Sequence, residues 1–232
     1  MERHFDEELK ILNTDLLKMA ALTEEAIYRS IESLKNRDAG LAREVIEQDH
    51  VIDELELVIE ERAIYLLALR QPMAVDLRFI TTAMKINSEI ERIADLAVDI
   101  CQRSLEIADK PHLKPLVDIP RLSEVSRRMV RAAIDSFVDK DEELAKKVIF
   151  SDSEADDLRN RIQDEIVKDF LSKDSSTAPR AIPLLLVARH LERICDHATY
   201  IAQDVIYMVR AEVVRHHLEK LKKEIGDDPR QN

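Results

Sequence analysis

The sequence predicts an all-α protein made of two tandem three-helix bundles, and three observations carry that expectation. Only two glycines occur in 232 residues, Gly40 and Gly226, while 45% of residues are hydrophobic and 35% charged. Such a composition can bury a substantial core and suits long helices better than turns or strands. Apolar residues recur at intervals of three and four, the period of a helix buried along one face. Finally, the second half repeats the pattern of the first.

The elements follow in order. Phe5, Leu9, Leu12, Leu16, Met19, Ile27, Ile31 and Leu34 mark a first helix up to Asn36. Asp38 is placed to cap a second, expected from about Asp38 to Arg70, whose stripe is Leu41, Val45, Ile52, Leu55, Ile59, Ala63 and Leu66. Pro72 stops it, because the residue before a proline is biased away from helix. A third helix covers roughly Ala74 to Ala108, and the proline-rich stretch from Pro111 to Pro120 reads as a crossing linker. The pattern then restarts, with helices expected over Leu122–Asp139, Asp141–Ser172 and Pro179 to about Glu224.

The halves align residue by residue. Asp49 and Asp53 correspond to Asp152 and Asp156 at an offset of 103, and Glu91 and Asp95 to Glu192 and Asp196 at 101. The change of two falls in the loop near Pro72, matched by residues 173–177, where length changes cost little. The expected units are residues 1–112 and 113–225, followed by a frayed tail over 226–232. A three-helix unit of this size buries a modest core, so the two are expected to pack as one elongated six-helix body.

Several function classes are excluded or disfavoured. A net charge of −12 opposes nucleic-acid binding, which needs an excess of lysine and arginine against phosphate. No apolar run approaches the roughly 20 residues that span a bilayer, and Met1 to Glu8 is unlike a secretory signal, so a cytoplasmic location is expected. Cys101 and Cys195 stand in neither a metal spacing nor a disulfide framework and read as small core residues.

The chemistry lies in the repeated acids. Glu91-Arg92-Ile93-Ala94-Asp95 returns as Glu192-Arg193-Ile194-Cys195-Asp196, and each copy sets two carboxylates one helical turn apart. Asp99 extends the first ladder by another turn, whereas Tyr200 ends the second. Like charges four apart oppose helix formation by about 0.2–0.5 kcal/mol per pair, and a bound cation would reverse the sign. A solvated face with salt bridges is the competing account, with Arg92 and Arg103 in reach of Asp95 and Asp99. The further pairs Asp49 with Asp53, and Asp152 with Asp156, shift the balance toward metal. If the second helix packs beside the third, one cluster takes oxygens from both, and such carboxylate-only ligands suit iron, manganese, magnesium or calcium better than zinc. His190 and His197 point away from the ladders and read as surface or packing residues. A basic stripe of Arg78, Lys85, Arg92 and Arg103 is either ordinary pairing, Lys85 with Glu89 and Arg103 with Asp99, or a docking strip for an acidic partner.

Taken with Asp76-Leu77-Arg78 and the run from Ala188 to Ala198, the paired Glu-Arg-Ile-x-Asp motifs resemble the PhoU family of phosphate-signalling regulators, over nearly the whole chain. The resemblance implies a duplicated three-helix fold, a cytoplasmic homodimer, and surface clusters of divalent or trivalent metal ions. It also implies a non-enzymatic role between a phosphate ABC transporter ATPase and a sensor histidine kinase, with membrane association only through those partners. The family's ligands map by motif onto Glu91, Asp95, Glu192 and Asp196, and less directly onto Asp49, Asp53, Asp152 and Asp156. The family commonly has asparagine four residues after the motif aspartate, where this chain has Asp99 and Tyr200. Two unequal sites are therefore expected, the first the stronger.

Two other classes remain open. A ferritin-like di-iron oxidase needs two Glu-x-x-His motifs, but Glu47-x-x-His50 has Phe150 and Ser153 in its copy. A metal-free scaffold would use its long amphipathic faces to bind other helices.

Overall fold

The computed structural model describes residues 2–214, which form helices and no strands. The helices are α1 (Glu2–Asn36), α2 (Ala39–Gln48), α3 (His50–Arg70), α4 (Val75–Ile107), α5 (Asp118–Asp139), α6 (Glu142–Glu165) and α7 (Ala178–Arg210). A π-helical turn over Ile166–Leu171 prolongs α6, and a 3-10 turn over Ser175–Thr177 precedes α7.

The single helix expected over 38–70 is interrupted at Asp49. There the Ile52 N–H closes on the Asp49 carbonyl at 2.8 Å, and His50 Nδ1 donates to the Glu47 carbonyl at 2.6 Å. A tighter backbone bond and an imidazole thus replace part of the regular ladder. Asp49 itself keeps right-handed helical dihedrals (φ −58°, ψ −35°), so α2 and α3 run on as one rod and the described residues form six rods, as expected. Two boundaries also differ. Helix α5 starts at Asp118 and takes in Pro120, because a proline in the first turn has no N–H that an intrahelical bond would need. Helix α7 stops at Arg210, where Ala211 turns left-handed (φ 59°) and its N–H bonds the Tyr207 carbonyl at 2.8 Å. The expected continuation to Glu224 fails over 211–214; its remainder and the 226–232 tail lie outside the described residues.

The joint between the first two rods of each half is built twice. Arg37 (φ 54°) and Lys140 (φ 53°) are left-handed, and the next residue, Asp38 or Asp141, sends its N–H back to Ser33 (2.8 Å) or Ser136 (2.9 Å). That is a Schellman ending, formed here without glycine. The same aspartates then cap the following helix, accepting the N–H of Leu41 and of Leu144, each at 3.0 Å.

Helices α4 and α7 make the most extensive pairing and join the halves. They run antiparallel: Arg78 Nε donates to the Met208 carbonyl (3.1 Å), Lys85 Nζ to Asp204 (3.0 Å), and His197 Nδ1 meets Glu89 Oε2 (2.6 Å). Ile80, Ile86, Ile90, Ile93, Ala97 and Ile100 are fully buried on α4, and Leu191, Ile194, Cys195, Ala198, Ile201 and Val205 on α7. One core spans both repeats. Both cysteines are buried and free, and burial pushes each thiol up to about 12. Among the described residues no helix is long and apolar enough to cross a membrane.

Candidate metal centre

Helix α3 packs on α4, and α6 packs on α7. Those two contacts assemble the repeated acids into two clusters, because each rod buries its apolar stripe and leaves its acidic flank beside that of its neighbour.

In the first cluster Asp49 and Asp53, from the α2–α3 rod, face Glu91 and Asp95 on α4. Burial, then Asp95, Glu56 and Asp53, push the Glu91 carboxyl up to about 7. Burial, Asp53 and Asp95 raise Asp49 to about 6. The more exposed Asp95 is also held above the usual carboxylate range, by desolvation, Asp53 and Asp99, with a hydrogen bond from Glu91 offsetting part of this. Asp99 lies at the edge, where its Oδ2 is 3.6 Å from His190 Nδ1 of the other repeat. In the second cluster burial, Asp196, Asp156 and Glu192 raise Asp152 to about 6. Asp196 is raised by burial, Glu192 and Asp156. The nine acids named from the sequence thus act on one another in two sets, Asp49, Asp53, Glu91, Asp95 and Asp99 in one and Asp152, Asp156, Glu192 and Asp196 in the other.

Two further residues take part that the motif comparison passed over. Glu56, on α3, is raised by burial, Glu60, Asp53 and Asp95, and it acts in turn on Glu91. Its counterpart at the 103 offset is Arg159, whose Nη2 reaches Glu192 Oε1 at 3.3 Å. The signal was present in the alignment of the halves, as a place where they differ. Arg159 also borders an open cleft of about 680 Å³ with Leu185, Arg189, Glu192, Arg193 and Asp196.

The basic stripe is largely paired within the chain, and its expected pairs change. Lys85 reaches Asp204 rather than Glu89, and Arg103 pairs with Glu106 at 2.6 Å rather than with Asp99. Both expectations assumed partners on the same helix at four-residue spacing, whereas for Lys85 the antiparallel α7 offers a nearly buried carboxylate. Arg92 stays exposed, 3.8 Å from Glu89, and lowers Glu56 and Glu91 only in part. The histidines serve the α4–α7 seam: His197 is buried against Glu89, and burial holds the His190 imidazole below its ordinary range.

The donor chemistry fits hard cations, since the clusters offer carboxylate oxygens and their crowding disfavours full ionisation without a counter-charge. The side-chain positions are less complete. Among the described residues no three or more His, Cys, Asp or Glu side chains converge as a ready cage for one ion.

A family model described as the PhoU domain matches residues 16–104 and again residues 119–205. The phosphate-specific transport system accessory protein PhoU homolog of Aquifex aeolicus (strain VF5) is 41% identical over 217 residues, covering 94% of this chain and 98% of that protein. PhoU homolog 2 of Thermotoga maritima is 33% identical over 221 residues, covering 95% and 94%. A crystal structure of PhoU from Pseudomonas aeruginosa superposes with a TM-score of 0.86 at 32% identity, over 90% of this chain and all of that one.

Proposed function

The chain belongs to the PhoU family, and from that premise we propose that it is a cytoplasmic negative regulator of phosphate uptake and phosphate-starvation signalling. It acts by binding rather than by catalysis, linking a phosphate ABC transporter, through its ATPase subunit, to a sensor histidine kinase. It works as a homodimer and carries carboxylate-bound metal ions, with iron, manganese and magnesium favoured over zinc. The naming of curated relatives as accessory proteins of a phosphate-specific transport system supports the pathway. The observation that carries the metal reading is the duplicated crowding of acids, which lifts Glu91 to about 7 and Asp49 and Asp152 to about 6. Burial and crowding that make the ionised carboxylates costly also favour a cation placed among them.

Two measurements test this reading. Deleting the gene should derepress a phosphate-starvation reporter in phosphate-rich medium; an unchanged reporter would remove the regulatory role. Protein purified without chelator should carry stoichiometric metal, and Asp95→Asn and Asp196→Asn should each lower the content at their own cluster. Metal-free wild type would leave an adaptor that works without ions, the account favoured by the absence of a converged cage among the described residues.

A further inference from the structure

Helix α3 is apolar on two opposite faces. Ile52, Ile59, Ala63 and Leu66 are buried in the core, as an amphipathic rod requires. On the far side Leu57 is 63% exposed, Ile64 51%, Tyr65 52% and Leu69 60%, with Val58 beside them and Met73 81% exposed just past the helix end. The spacing 57, 64, 65, 69 keeps them on one outward stripe. The fold does not need this stripe. At the 103 offset the other repeat places Asn160 for Leu57, Arg161 for Val58, Lys168 for Tyr65 and Ser172 for Leu69, and retains only Val167 for Ile64. The matching rod, which passes into the π-helical turn over Ile166–Leu171, is thus largely polar there, and an outward apolar stripe interrupted by Glu54 and Glu61 marks a binding surface.

Charge indicates the occupant. Glu54 and Glu61 lie on the stripe itself, with Asp53 and Glu60 along one edge, and all four are exposed. The helix's arginines are committed inward, Arg62 to Asp15 at 3.1 Å and Arg70 to Glu8 at 2.7 Å. Two copies of the chain pressed face to face here would set acid against acid. An anionic lipid surface would be repelled in the same way. We infer that the outward face of α3 is a docking surface for an amphipathic helix of a different protein, whose apolar stripe is accompanied by lysine or arginine. Ridges at three- and four-residue spacing accept such a helix, and its basic side chains meet Asp53 and Glu60 along the edge and Glu54 and Glu61 on the stripe. This rests on the adaptor role proposed above and is independent of metal.

The test replaces Tyr65 in the full chain with photoreactive benzoylphenylalanine in the cell of origin, with the same probe at Lys168 as control. The expected result is a heterologous adduct from position 65 alone, whose cross-linked peptide carries an apolar helical stripe with basic flanks. The double variant Leu57→Asn and Leu69→Ser, which installs the second repeat's residues, should cut the adduct by at least about tenfold without shifting the melting temperature, because both side chains are exposed. An adduct of twice the chain's mass, a lipid adduct, a peptide with acidic flanks, equal labelling from position 168, or no adduct each overturns the inference. In the deletion strain the same double variant should fail to restore repression. If it restores repression fully, the face is wrong and the adaptor role stands; if the deletion never derepressed the reporter, the adaptor role itself has failed.

Discussion

The two acidic clusters occupy the same place in two copies of one fold, yet they differ in charge. In the first, Glu56 adds a carboxylate to Asp49, Asp53, Glu91 and Asp95, and burial with that crowding raises Glu91 to about 7. In the second the matching position is Arg159, which reaches Glu192 at 3.3 Å and supplies a tethered positive charge. Asp99 extends the first ladder and Tyr200 ends the second. The order and packing of the rods were duplicated; the counter-charge was not. A guanidinium already among carboxylates competes with any ion for the same oxygens, so the second cluster should hold cations more weakly.

Exchanging these two residues gives the largest expected effect. Arg159→Glu removes the tethered cation and adds an acid, which should strengthen manganese binding at the second cluster by about tenfold or more, or about 1.4 kcal/mol. Glu56→Arg should weaken the first by a similar factor. Calorimetric titration of chelator-stripped protein reads both, with Asp95→Asn or Asp196→Asn silencing the other cluster in each case. Unchanged affinities in both variants would mean that the difference in charge between the clusters has no bearing on ions.

How far the sequence carried follows from where each interaction lies. Rod number, apolar faces and the pairing of acids were legible because helical period and a constant offset are local properties. The break at Asp49 was not, since it depends on the His50 ring taking a backbone carbonyl. Nor was the end of α7, set by a left-handed alanine with no glycine or proline to announce it. Lys85 was given a partner on its own helix although its carboxylate, Asp204, comes from 119 residues away. Arg159 is invisible to a motif of shared acids, because a reversal of charge at an aligned position is a departure from the repeat.

A smaller effect should appear with pH. Glu91 has an ordinary value of 4.5 and about 7 in the fold, and Asp49 and Asp152 have 3.8 and about 6. Over those intervals the folded chain binds more protons than the unfolded chain, so these groups add stability as pH falls. Their contribution is full below about pH 4 and is gone above about pH 7. Metal-free protein should therefore melt higher at pH 6 than at pH 8, by a few degrees at most, since the half-buried His190, held below its ordinary range, opposes part of the gain. Saturating manganese, which replaces the protons, should flatten the trend. Glu91→Gln should flatten it without metal and by more than Asp152→Asn, because Glu91 carries the highest value. A melting temperature that rises from pH 6 to pH 8 in metal-free protein would contradict the crowding.

The smallest effects should be equal in the two halves, and that equality separates scaffold from site. Asp38 and Asp141 cap matching helices with the same 3.0 Å bond to the third residue onward, each after a left-handed residue in the same Schellman ending. Replacing either by alanine leaves a first-turn N–H without its partner and should cost about 1 kcal/mol, or roughly 2–4 °C in melting temperature for a chain of this size. The two losses should agree within about 0.5 kcal/mol, and the double variant should show their sum, since distant caps share no partners. Neither should alter manganese affinity at its neighbouring cluster. If Asp38→Ala weakened binding while Asp141→Ala did not, the asymmetry of the clusters would extend into the rods that carry them, and Glu56 against Arg159 would no longer account for it alone.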